Sequence, residues 1–182
     1  MLRAFVLLLF GLTILAAPKG AEAVDDISFD AFFGKWSGNA VAETPPGAFF
    51  GYTSRDIDIM ISPKDKGFTL AWTTVMYLES NSQEPEIRRR SDSIDFVPVP
   101  NKPGVFDAVG LDDPHQETGY VWGRIEEQTL YVYSQTIDPR GRYTLQVWER
   151  TLTGGGMDLD FLSIQEKQPQ RSVKGKLVKV SN

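Results

Sequence analysis

The chain has 182 residues, 41% of them hydrophobic, with a formal net charge of −5 at neutral pH, one histidine and no cysteine. That length bounds one domain with a substantial core. The acidic balance disfavours a general nucleic-acid binder, and the lack of cysteine excludes disulfide staples, thiol catalysis and thiolate metal sites.

Met1, Leu2 and Arg3 give a short positive start, residues 5–17 are almost wholly apolar, and Ala21-Glu22-Ala23 has the small-x-small pattern that signal peptidase reads. The apolar run is short for a membrane span, and Pro18-Lys19-Gly20 interrupts it. Residues 1–23 are therefore expected to be a cleaved signal peptide and residues 24–182 the mature domain. The expected location is a bacterial periplasm or the cell exterior, with no stable membrane anchor after cleavage; an uncleaved amino-terminal anchor is the alternative.

Residues 27–33 carry apolar side chains at Ile27, Phe29, Phe32 and Phe33, which suits a short helical turn that Gly34 can stop. Alternation follows, with Trp36, Gly38, Ala40 and Ala42 on one face of a first strand. After the turn Thr44-Pro45-Pro46-Gly47, residues 55–61 place Arg55, Ile57, Ile59 and Ile61 together and Asp56 and Asp58 opposite. Residues 67–77, which include Trp72, alternate again, so the two runs predict a β-hairpin.

Further strands are predicted at 88–97, 105–109, 119–125, 129–135, 142–152, 157–164 and 172–180. The segments between them carry turn chemistry, including Asn101-Lys102-Pro103-Gly104, Asp112-Asp113-Pro114, Asp138-Pro139-Arg140-Gly141 and Gly154-Gly155-Gly156. No long amphipathic helix, internal repeat or low-complexity tract intervenes. The predicted fold is a single all-β, up-and-down antiparallel barrel of about 8–10 strands with a short amino-terminal helical turn, and a β-sandwich is the alternative.

The apolar turn Phe32-Phe33 before Gly34-Lys35-Trp36 resembles the first signature region of the lipocalin and wider calycin group. By that resemblance the aromatic turn plugs one barrel end, Trp36 packs at its floor, and Arg150 or Arg171 lies across the tryptophan. The strand number and the lack of a Thr-Asp-Tyr region point to a calycin cousin, similar to the ten-stranded fatty-acid-binding-protein-like or nitrobindin-like barrels. Nitrobindin-like barrels use a haem-ligating histidine near the chain end, where this sequence has none.

His115 follows Asp112-Asp113-Pro114 and reads as a solvated turn residue, and with Glu117 the cluster reads as an acidic exposed turn without EF-hand spacing. No Gly-x-Ser-x-Gly elbow is present. Asp56 with Asp58, and Asp158 with Asp160, read as the wet faces of half-buried strands, and the Arg88-Arg89-Arg90 run reads as solvated in a hairpin, with anion contact a minor alternative. No catalytic residue, metal ligand or cofactor is assigned.

Strand parity collects the aromatic and basic candidates for a cavity lining: Trp36, Arg55, Trp72, the set Tyr120, Trp122 and Arg124, the pair Tyr131 and Tyr133, and Trp148 with Arg150. An arginine with tyrosines would hold a carboxylate by charge-assisted hydrogen bonds, similar to the clamp of the fatty-acid-binding proteins; as exterior residues, the same rings would form cross-strand pairs. The expected function is noncovalent binding of a small hydrophobic or amphipathic, fatty-acid-like molecule. The alternatives are a cavity-based enzyme of isomerase, cyclase or hydratase type, and an envelope module with a packed barrel and a protein partner.

Overall fold

The computed structural model describes residues 29–43, 53–78 and 86–181. The expected signal peptide, Ile27 and the Thr44-Pro45-Pro46-Gly47 turn lie outside the described residues. A 3-10 turn at Phe29–Phe32 leads into β1 (Gly34–Glu43), β2 (Thr53–Lys64), β3 (Gly67–Leu78), β4 (Glu86–Pro98) and β5 (Val105–Asp112). The chain continues through β6 (Tyr120–Glu126), β7 (Thr129–Ile137), β8 (Tyr143–Thr153), β9 (Gly156–Gln165) and β10 (Gln168–Ser181).

Each strand pairs antiparallel with the next, and β1 also pairs with β10, so the meander closes as a ten-stranded up-and-down barrel rather than a sandwich. Pleat alternation selects the interior. Ile57, Ile59 and Ile61 of β2, Phe68 and Leu70 of β3, Met157 and Leu159 of β9, and Val173 and Leu177 of β10 are buried. On the outer face Asp158 pairs with Lys176 at 2.9 Å and Asp160 with Lys174 at 3.5 Å, while Asp56 accepts from Asn39 and Tyr77, both at 2.6 Å. These carboxylates are the wet face that alternation predicts.

One barrel end is filled. Phe29 packs against Phe33, Phe68 and Phe106 at 4.8, 4.6 and 5.6 Å between centroids, and Phe68 stacks on Phe96 at 4.8 Å. Such ring pairs add about 0.5–1.5 kcal/mol each beyond area burial. Trp36 Nε1 donates to the Phe32 carbonyl at 2.9 Å, which ties the turn to the first strand. Gly34, at φ 121°, makes the change of direction between them. The cation over the Trp36 ring is Lys179, 5.4 Å from its centroid and its cross-strand partner. Neither Arg150 nor Arg171 takes that place, since their register puts both farther along the barrel.

The wall is not uniform. β4 meets β5 only through Phe96, Val97 and Pro98, and β5 meets β6 through residues 105–107 and then Asp112 alone, across a bulge that contains Gly110. Residues 86–95 therefore pair with β3 but, among the described residues, with nothing on their other side. A side opening results at the end opposite the aromatic plug.

β1 and β10 approach so closely that a Cβ on Gly38 would lie 2.0 Å from the Lys176 carbonyl oxygen, whereas a Cβ on Gly154 would meet nothing within 4 Å. Gly38→Ala is expected to lose about 1–3 kcal/mol of unfolding free energy by overpacking this closure, while Gly154→Ala stays within about 0.5 kcal/mol of the parent. Urea unfolding of the two variants measures the contrast; equal midpoints would show that the closure relaxes freely.

Candidate functional site

Above the aromatic plug the interior holds a cavity of about 490 Å³, within the range of small-molecule sites. Its walls are Ile57, Ile59, Leu70, Trp72, Ile94, Val121, Val132, Trp148, Leu159, Phe161 and Val173, with Arg55, Arg150, Arg171, Arg90 and Asp92 as the charged groups. Trp148 and Phe161 face each other across β8 and β9 at 5.1 Å between centroids and form one aromatic wall.

Register explains how the charges reach the interior. One ladder row runs from Arg55 on β2 through Ala40, Gly175 and Leu159 to Arg150 on β8. Two of its three intervening side chains are the smallest available, so the row stays low between the two arginines. Nearer the mouth a polar row follows, from Arg171 through Ser163 and Gln146 to Ser134. Arg90, Asp92, Ser93, Leu111 and Thr118 border the side opening. Asp92 and Ser93 are consecutive, and both reach the cavity because the wall ends there on one side.

The deep arginines are the unusual groups. Arg150 is 4% exposed and Arg55 8% exposed. Nε and Nη1 of Arg150, and Nε and Nη2 of Arg55, are buried donors with no acceptor among the described residues. Burial alone lowers the Arg150 pKa from its ordinary arginine value to about 10. Burial, and secondarily the Arg171 charge, lowers Arg55 to about 10. Arg171 is lowered by burial and then by Arg90. With four arginines against a single lining carboxylate, Asp92, the cavity carries an excess of positive charge.

Four sequence candidates, Arg55, Trp72, Trp148 and Arg150, stand in the cavity wall. Trp36 is buried below it in the plug. Tyr120, Trp122, Arg124, Tyr131 and Tyr133 are on the outside, which corrects the expectation that they face a ligand. They form an exterior ladder: Tyr120, Trp122 and Tyr133 stack at 5.0 Å steps, Tyr131 follows at 6.0 Å, and the Arg124 guanidinium sits 5.9 Å from the Tyr131 centroid while pairing with Glu126. The phase of β6 is seen at Gly123, whose inner side packs against Phe96 from β4, two strands away. Val121 and Val132 consequently point inward.

Arg90, Asp92, Phe161 and Arg171 are cavity residues that the sequence reading did not assign. Arg90 is exposed, in keeping with the solvated reading of its run, and lies on β4 in the same alternating set as Asp92, Ile94 and Phe96, which brings it to the opening; that parity was the available signal. His115 is exposed and its backbone N–H donates to Asp113 at 2.8 Å. Among the described residues no group of three or more histidine or carboxylate side chains is placed to hold a metal.

No protein-family model matches the chain, and no curated protein does. Among solved structures, the S-type phycobiliprotein lyase CPES from Guillardia theta is similar over 85% of this chain and 91% of that one, at 9% sequence identity and a TM-score of 0.39.

The inner and outer aromatic sets can be separated with an amphipathic anion such as 1-anilinonaphthalene-8-sulfonate. Trp148→Ala is expected to weaken its binding about tenfold or more, whereas Trp122→Ala leaves it unchanged while lowering stability. Fluorescence titration of both variants in their native state checks this, and equal losses would return the exterior ladder to the candidate site.

Proposed function

We propose that this chain is an exported, calycin-like binding protein for a small amphipathic anion, whose apolar body fills the cavity and whose acidic head meets the buried arginines. The observation that carries the reading is the pair of buried guanidinium groups, Arg55 and Arg150, with donors that no group among the described residues accepts from, facing a cavity walled by tryptophan, phenylalanine and isoleucine. Burying a charge without a partner is strongly unfavourable. Its retention at two places in one cavity makes sense where a bound anion completes the hydrogen bonds.

The energetics divide between the two parts of the ligand. An apolar body gains about 25 cal/mol per Å² removed from water. For the head, lowering an arginine from its ordinary value to about 10 corresponds to a cost on the order of 3 kcal/mol for the Arg150 charge. An anion at hydrogen-bond distance offsets that cost and adds charge-assisted bonds. A fatty acid satisfies both requirements and is the ligand type proposed. Export is supported by the charged, apolar and small-residue pattern of residues 1–23.

The sign of the stability effect follows from the same shift. The folded pKa lies below the unfolded one, so the unfolded state holds more protons only from about pH 10 up to the ordinary arginine value, and the penalty is fully present below that window. At neutral pH, Arg150→Met is therefore expected to raise the melting temperature of the ligand-free protein while weakening dodecanoate binding at least about tenfold. Calorimetry and intrinsic tryptophan fluorescence read the two effects; a lower melting temperature with unchanged affinity would overturn the role given to Arg150.

Protonation of the ligand gives a second check. Dodecanoate affinity is expected to stay flat from about pH 6 to 9, where carboxylate and arginines are all charged, and to fall as the carboxylate is protonated below about pH 5. Native mass spectrometry of protein purified from its own cell envelope tests both halves of the proposal. A chain beginning near Val24 with a stoichiometric acidic lipid supports them. A chain retaining residues 1–23, with a clean apo mass and no uptake of dodecanoate, counts against both.

A further inference from the structure

The cationic groups of the cavity fall into two centres rather than one. Arg171 lies close enough to Arg55 to lower its pKa, and Arg90 does the same to Arg171, so these three form a connected group that runs from the interior to the side opening. Arg150 belongs to no such group: burial alone perturbs it, with no charged neighbour contributing. Arg55 and Arg150 also project from nearly opposite walls. They share a ladder row, but β2 and β8 are four strands apart in a ring of ten.

Between the two centres the lining is apolar and aromatic, with Trp148 and Phe161 as its broad face. A ligand with one acidic group can satisfy one centre and leaves the other with buried donors that lack acceptors among the described residues. A single group carrying two charges, such as a phosphate monoester, also reaches only one wall.

We propose that the ligand is a two-headed acid, an apolar or aromatic body with an acidic group at each end, one held by Arg150 and the other by Arg55 together with Arg171 and Arg90 at the mouth. This rests on the anion-binding reading of the cavity and sharpens it from one acidic group to two. Lone Arg150, away from the opening, takes the end that enters first. The Arg55, Arg171 and Arg90 group, which reaches the opening, takes the trailing end and accounts for the positive charge at the rim.

The test compares three probes of matched chain length on the full-length mature protein: an α,ω-dicarboxylate, its monomethyl ester and an alkyl phosphate, in a series of about eight to sixteen carbons. Titration calorimetry is expected to show one chain length at which the diacid binds at least about tenfold more tightly than either other probe. In Arg150→Met and, separately, in Arg171→Met, the diacid is expected to fall to the affinity of its ester, while the ester is weakened by only one of the two substitutions. If the ester or the phosphate equals the diacid at every length, the two-headed ligand is overturned and a one-headed anion remains. If none of the three binds, the anion reading of the cavity falls with it.

Discussion

The pairing of β1 with β10 is the constraint on which the molecule depends. Without it the ten strands are an open meander whose inner face has nothing to pack against except its own curl. With it, the inward side chains away from the side opening are enclosed, and Ala40 and Gly175 come to lie side by side between two arginines. The closure is possible because the first strand is thin. Gly38 admits the Lys176 carbonyl to a place that any side chain would occupy. The aromatic turn before β1 is fixed by the same strand, through the Trp36 to Phe32 hydrogen bond, so one short stretch both seals the ring and fills its lower end.

The filled and hollow halves represent opposite uses of the same pleat. Below, phenylalanines from β3, β4 and β5 meet those of the turn and leave a dry core. Above, the inward positions alternate between apolar rings and arginines, and the core is left incomplete. Natural cores avoid buried charge without a partner because the desolvation penalty exceeds what packing returns. Here the plug and the closed ladder supply the stability that the upper half forgoes. A site that holds its charges rigidly before the ligand arrives loses little on binding, which is the advantage of preorganisation.

The fold was legible because alternation is a local signal. All ten strands and the turn before the first can be read from apolar spacing and from turn residues such as Asn101-Lys102-Pro103-Gly104 and Gly154-Gly155-Gly156. The site was legible only where one face of a strand was plainly apolar: the isoleucines of β2 carry Arg55 inward with them, and Leu152 and Trp148 do the same for Arg150. On β6 and β7 both faces read as plausible interiors, aliphatic on one side and aromatic on the other. The choice is made by Phe96, far away in sequence, packing onto Gly123. Arg90 was obscured by its two arginine neighbours, although Ile94 and Phe96 continue its alternation toward the core.

A closed barrel ordinarily has no free strand edge, and among the described residues the short β4–β5 contact gives one back. An unpaired edge is a template on which another chain can add a strand, the first step toward aggregation. The run that borders this one is Arg88-Arg89-Arg90-Ser91-Asp92, charged on both faces of the pleat. Two such edges brought together would stack arginine against arginine with little room for counterions. The basic run thus disfavours strand addition along the open side, so the opening can be a passage for a small molecule without being a joint between proteins.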